Sequence, residues 1–545
     1  MRSRIPLLIT ALIIISLVLA WVSTDFQSVQ GWTSFLAVVG LGTGLLLAGW
    51  WGVKLDPVLS RGHDQKHQSE GSNLHGSWRR HSQLPAWLSW LLICATMLRL
   101  GAGILWFVTL PTLGYGSEVE ISGYVMADAF DRDRTAWELS QSEKPLIVAF
   151  SKYRGADQYG GYLFGSALIY RYLGGNFHKP LQIVVLSASI SSLAVLFTWA
   201  FVRRIWDASV AGIAAWIVTL FPDAILLGSS QMREAIMMSL VVIAFYGVTR
   251  LWQDRSRVGG IWMVFPLLIA FPLSPLFGVM LATMLGVFAL FLGKGSWLKD
   301  WRVWGIMIGL VALGLIVVAI FGEQILPGEQ ANPLSLLQRW FKQAGRWQAY
   351  NAERASGWMQ KIFRSTPEWT HGWLLLIYGI ARPFLPAALF DSAAAIWQSI
   401  AIWRSIGWVL LLPFLVAAPL VSWQRVGWRS PPLGLSLLVW LGIIISSFRG
   451  GGDHWDNPRY RVTWIGLQAT LAAWVWVTQR RDRSPWLRRV LIGMGCILIW
   501  WIPWYVRRIT DLDWPVQDVF LTLGLGIGCA LLYLVIDVIY ERIKY

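Results

Sequence analysis

Apolar runs of about 20 residues recur from Ile5 to Ile539, each closed by a short polar or basic stretch, and about 20 helical residues span a hydrocarbon core of about 30 Å. Period-2 alternation is absent, so helices and not a closed barrel must satisfy the backbone within lipid. The expected spans are 5–22, 32–53, 84–110, 180–201, 208–227, 234–252, a proline-broken pair in 261–292, 304–321, 406–421, 432–447, 462–478, 490–506 and 516–539. That makes about fourteen transmembrane helices at roughly 20 residues each. The segment 381–403 holds Pro383, Pro386 and Asp391, which favours a re-entrant or interfacial path over a full crossing.

Basic residues set the orientation. Arg2 and Arg4, the polar stretch 54–81, Arg203 and Arg204, Arg255 and Arg257, Lys294 and Lys299, Arg425 and Arg429, and the cluster 479–489 alternate with poorly basic loops. The positive-inside rule then puts both termini in the cytoplasm and the long loops 111–180 and 322–405 outside. The Gly, Ser, His and Gln content of 54–81 reads as a flexible linker. Three regions follow: 1–83, two helices and a linker that look appended; 84–478, the membrane core; and 479–545, a C-terminal hairpin. Residues 1–20 resemble a signal peptide in charge and apolarity, but Trp21 and Asp25 stand where small cleavage-site residues belong, so an uncleaved first helix is expected.

Composition agrees with a polytopic all-α membrane protein. Of 545 residues, 56% are hydrophobic and 14% charged, and mean hydropathy is +0.52. The net charge of +16 comes from short clusters between apolar runs, which is topology signal and not a nucleic-acid groove. The 37 Trp suit interfacial belts, and Cys94, Cys496 and Cys529 sit in apolar runs as small buried hydrophobes.

Candidate chemistry concentrates in the outer loops. MADAFDRDRTAW, 126–137, packs Asp128, Asp131 and Asp133 with Arg132 and Arg134 into one turn-rich run after a span. Acids there are solvated, paired with the neighbouring Arg at a gain of roughly 0 to 1 kcal/mol per exposed pair, or used in chemistry. Residues 155–175 have helical apolar spacing and predict a helix at the interface. Within it Asp157 and Tyr159 read as helix-start residues ahead of acceptor contacts. Arg99, inside a span, pairs helices or meets an anion. Glu234 either favours a helix N-terminus or orients a substrate, with Arg233 beside it. Arg459 and Tyr460, in DNPRYR, are an interfacial anchor or a phosphate contact, with Arg233 and Arg449 as further cations. In 322–372, Trp340, Trp347, Tyr350 and Trp358 at helical spacing suit the membrane surface or a sugar ring. A divalent cation on the three Asp with His371 or His454 is conceivable, but no His pair has ligand spacing and Arg residues neutralise the acids, so no metal is expected.

The order of these motifs resembles the GT-C class of integral-membrane glycosyltransferases, which includes protein mannosyltransferases and aminoarabinose transferases. DAFDRDRTAW is similar to that family's first outer acidic loop, with Arg132 where an aromatic is common. YGGYLFGSALIYRYLGGN, 159–176, is similar to the following interfacial helix. LFPDAILLGSSQMREA, 220–235, resembles the next helical pair with its outer Glu, and DNPRYR the start of a final core helix. The resemblance covers roughly 84–478 and implies a transferase working from a polyprenyl-phosphate-linked sugar to a glycan, lipid or protein acceptor. It further implies an extracytoplasmic site in a plasma membrane, Asp128 or Asp131 as general base, and substrate contacts from Glu234, Arg233, Arg459, Tyr460, Arg99 and Tyr159. Rival readings are a lipid-linked-sugar transporter, which predicts repeated halves that the chain lacks, and an envelope-polysaccharide polymerase or ligase, which would use the later loop. A scaffold leaves the aligned outer acids without a role.

Overall fold

Helices account for all the regular structure in the computed structural model, with no strand among the described residues. It describes residues 5–60, 84–293 apart from 152 and 154, isolated positions 301, 305, 308, 309, 312 and 350, and 357–449 and 455–544. Most of the linker 54–81, most of the expected span 304–321, and Trp340, Trp347 and His454 lie outside the described residues, as do the side chains of Trp358 and Arg449.

Two compact units form. The first comprises 1–340 with 462–467, and the second 341–461 with 468–545.

In unit 1 the helices are α1 (Ile5–Val22), α2 (Val29–Lys54), the short α3 (Pro57–Ser60), α4 (Ala86–Leu113), α5 (Glu118–Ile121), α6 (Ala127–Gln141) and α7 (Gly161–Leu173). They continue with α8 (Pro180–Ile205), α9 (Ala208–Leu220), α10 (Pro222–Gly228), α11 (Arg233–Asp254), α12 (Arg257–Leu273) and α13 (Pro275–Leu292). α8 is the hub, in contact with α2, α4, α9 and α11. Its apolar stretch is 89% buried, as expected for a helix apolar on every side. Ser189 and Ser192 return their hydroxyls to the carbonyls of Val185 and Ala188 at 2.8 and 2.7 Å, which removes the cost of burying them. Small residues let neighbours close in: Gly42 meets Ser189, Gly49 meets Leu193, and Gly103 meets Val184.

α2 is therefore integral to this unit. Beyond its C-terminus, Asp56 is fully buried and accepts hydrogen bonds from Arg204 Nε and Nη2, both at 2.7 Å, and from Tyr246 at 2.6 Å. Arg204 also bonds Asp254 at 2.6 Å, so the C-terminal ends of α2, α8 and α11 share one ionic knot. At their other end Lys179 pairs with Asp25 at 2.7 Å and donates to Ser34 at 3.1 Å.

Proline places the breaks. Phe221 is extended before Pro222, and the expected single span 208–227 is a pair bent by 57°. Ser274 separates α12 from α13 as the proline-broken pair predicts. α7 approaches α12 so closely that a Cβ on Gly161 would strike the carbonyl of Pro272. Gly161→Ala is expected to cost about 1–3 kcal/mol, read as a lower unfolding temperature of the purified protein.

Unit 2 contains α14 (Gly357–Ser365), α15 (Glu368–Ala381), α16 (Leu385–Phe390), α17 (Ala395–Val426), α18 (Pro431–Arg449), the one-turn α19 (Arg459–Val462), most of α20 (Ile465–Asp482), α21 (Pro485–Arg507) and α22 (Val519–Lys544). α14 turns Met359, Ile362 and Phe363 into a cluster with Leu375, Trp504, Tyr505 and Val519. Arg489 ties α21 to α22 through Asp537 at 2.7 Å and Glu541 at 2.6 Å. Both helices are only 17% buried over their apolar stretches, the profile of a lipid-facing hairpin.

Among the described residues nine helices are long and apolar enough to cross a membrane, ten if the bent pair is one span. α12, and α1 over its described side chains 9–22, are shorter apolar stretches. Two expectations change. The segment 381–403 is not one re-entrant unit: only 382–394, with six-residue α16, is irregular, and residues from Ala395 belong to the 32-residue α17. The two prolines act locally, and no proline follows until Pro413. Of the three free cysteines only Cys496 is buried; Cys94 and Cys529 are on exposed helix faces.

Candidate functional site

The run 126–137 is helical, not turn-rich. Gly123, at φ +78°, turns the chain, Met126 is extended, and α6 begins at Ala127 with Asp128 in its first turn, where the helix dipole favours an anion. Helical spacing then sorts the charges. Asp128, Asp131, Arg134 and Glu138 form an exposed stripe, while Ala129, Arg132, Asp133, Ala136 and Ser140 are buried. Arg134 is bonded to Glu118 at 3.2 Å and to Glu138 at 3.3 Å, exposed pairs worth little. Asp128 and Asp131 are thus accessible, and Asp133 is not.

Asp133 gathers donors from three other segments. Tyr124 donates to it at 2.6 Å, Tyr170 of α7 at 2.7 Å, and His178 Nε2 lies at 2.9 Å. Trp137, one turn on, stacks on the His178 ring at 5.3 Å and meets Tyr170 edge-on. Burial, with the Asp133 charge and hydrogen bond added, pushes both phenols well above their usual pKa, so they remain donors.

Arg132 faces the other way along the buried stripe. Its Nη1 donates to the Gln231 carbonyl at 3.4 Å, its Nε lies 3.9 Å from Asp157, and its guanidinium sits 5.5 Å from the Tyr162 ring. Asp157 accepts the Leu163 N–H at 3.1 Å and so supports the start of α7, the structural role expected for it. Tyr162 shares a hydrogen bond with Ser187 of α8 at 3.0 Å, and burial raises its pKa.

The N-terminus of α11 completes this end of unit 1. Glu234 is buried in the first turn, 3.8 Å from Arg233, whose guanidinium lies 5.5 Å from the Tyr159 ring. The Glu234 charge acts on Tyr162, as do those of Arg132 and Asp133. Gln231 donates to the Pro180 carbonyl at 3.1 Å, and Trp106 to Ser229 at 3.1 Å, which joins the ends of α4, α8 and α11. Tyr159, Arg233 and Glu234 are thus together, on the flank that Arg132 of α6 also touches.

Arg99 stands apart, deep in α4. It donates to the carbonyls of Ala95 at 3.0 Å and Val218 at 3.1 Å, which pairs α4 with α9. Arg459 and Tyr460 belong to unit 2. There Arg459 pairs with Asp456 at 2.9 Å and donates to the Tyr460 hydroxyl at 3.2 Å, while Arg461 lies 3.5 Å from the Trp408 ring centre and donates to the Gly379 carbonyl. His371 is 2.9 Å from the Phe363 carbonyl. Among the described residues no three His, Cys, Asp or Glu side chains are gathered as metal ligands.

Tyr124, Tyr170 and His178 carry no motif in the sequence, and Asp133 is one acid among three in the run 126–137, with no role of its own beyond a disfavoured metal site. The available signal was helical: Asp133 shares its stripe with Ala129, Ala136 and Ser140, a spacing that marks it as buried. No protein-family model and no curated protein matches the chain.

Proposed function

We propose that the chain is a membrane glycosyltransferase of the GT-C kind, passing a sugar from a polyprenyl-phosphate donor to a hydroxyl-bearing acceptor on the extracytoplasmic side of the plasma membrane. The observation that carries this reading is Asp128 and Asp131, one helical turn apart on the exposed face of α6, shortly after a membrane span. Arg233, Glu234 and Tyr159 lie at the same end of the unit, next to the residues that Arg132 contacts. The order of motifs along the chain supports the same family.

The chemistry follows from that placement. An acceptor hydroxyl is a weak nucleophile, and Asp128 takes its proton as the new bond to the anomeric carbon forms, with Asp131 the second candidate. The bond between that carbon and the phosphate oxygen breaks, and its electron pair leaves on the phosphate. A guanidinium offsets the negative charge gathering there, and Arg233, beside Glu234 at the same end of unit 1, is the candidate for that role. The donor's hydrocarbon tail remains in lipid among the spans, so only its head group need reach α6.

Membranes carrying the overproduced chain, given a panel of polyprenyl-phosphate sugars, are expected to transfer one of them beyond control membranes. Transfer from none of the panel would count against the reading.

A further inference from the structure

α6 carries acids on two opposite sides. At 3.6 residues per turn, Asp128 and Asp131 lie about 60° apart, and Asp133 about 140–160° from either. The exposed pair can face a substrate only while the buried side stays seated. Arg132 cannot seat it alone, because its contacts to Gln231, Met232 and Asp157 are long, at 3.4, 3.8 and 3.9 Å. Asp133, by contrast, has three short hydrogen bonds, and Trp137 on the same stripe stacks on one of the donors.

We propose that Asp133 is a positioning residue: bound to Tyr124, Tyr170 and His178, it fixes the rotation of α6 and so holds Asp128 and Asp131 towards the substrate. The catalytic part rests on the transferase reading above. The donors come from the segment before α6, from α7 and from the residue two before α8, so Asp133 ties the acid-bearing helix to the ordered hub of the unit. Charged and titratable groups around His178 are Asp133 from α6, Tyr170 from α7, Tyr124, and the adjacent Lys179, which is held by Asp25. A buried carboxylate with fully engaged oxygens keeps one geometry, because any rotation leaves it with broken bonds and no water. Such support acts on rate: a shift of about 1 Å at the reacting groups costs roughly 100-fold.

The test compares wild type, Asp133→Asn and His178→Gln as full-length protein in lipid nanodiscs. Amide hydrogen exchange in 127–141 is expected to rise at least about tenfold in Asp133→Asn and less in His178→Gln, with α8 unchanged. The transfer kcat, counted per folded molecule after size-exclusion, is expected to fall roughly 10- to 100-fold, with the donor KM within about twofold; loss of folded protein alone would leave the rate per folded molecule unchanged. Unchanged exchange in both variants, or faster exchange with unchanged kcat, overturns the proposal. Should Asp133→Asn loosen the whole unit, His178→Gln decides, because its ring is part-exposed: a rise confined to α6 supports the proposal and no rise overturns it. If α6 loosens as expected while wild type transfers no sugar from any donor, the transferase reading fails and the seating role of Asp133 stands.

Discussion

Asp128→Asn is expected to abolish sugar transfer while the protein still inserts and folds. The change keeps side-chain size and removes basicity, so the acceptor hydroxyl has no proton acceptor at that position. General bases contribute about 10²–10⁴-fold, which sets the loss to look for in initial rates with the donor that wild type uses. Because Asp128 is exposed, losing its charge should cost little stability. Its favourable place in the first turn of α6 is worth about 0.3–1 kcal/mol, too little to unfold the helix. Asp131→Asn, one turn along, is the companion measurement. Full activity in both variants would remove α6 from the chemistry, and a loss confined to Asp131→Asn would make that residue the base.

The second large effect is at the other end of unit 1. Asp56→Ala is expected to destabilise the protein by about 3–5 kcal/mol, because it leaves Arg204 buried with only part of its charge met by Asp254. The measurement is thermal unfolding in detergent, with Asp254→Ala, whose side chain is part-exposed, as the milder control. Burial alone would raise the Asp56 pKa, but the Arg204 and Tyr246 hydrogen bonds outweigh it and hold the carboxyl below its ordinary 3.8. A folded-state pKa below the unfolded one gives stability that is complete above the unfolded value and lost as pH falls through the folded value. Wild type should therefore lose stability on acidification below about pH 4, and Asp56→Asn should lack that component.

Both results bear on how much the amino-acid order reveals. The 20-residue apolar runs are legible because the bilayer imposes one length on every crossing, and most runs became helices close to the expected bounds. The break at Ser274–Pro275 was legible for a similar reason, since a missing N–H acts wherever it occurs, whereas the break at Pro222 fell inside an expected single span. The segment 381–403 misled because Pro383 and Pro386 disturb only their own turn, and the alanine-rich stretch after them continues as helix into α17. The run 126–137 misled because five charges among twelve residues mimic a solvated loop, whereas their three- and four-residue spacing builds a two-faced helix.

Composition and periodicity by themselves determined that this is a helical, multi-pass membrane chain with acids clustered after an early span. Those properties depend on local order and on the thickness of lipid. Which acid is buried was decided only by tertiary structure. Asp128, Asp131 and Asp133 are chemically the same side chain, and they differ because Tyr124, Tyr170 and His178, from 9 to 45 positions away, converge on just one of them. The same holds for Asp56, whose partner Arg204 is 148 positions distant. Burial and pairing at such range follow from how α2 and α11 pack against α8 and how α6 packs against α7, and no local window contains that information.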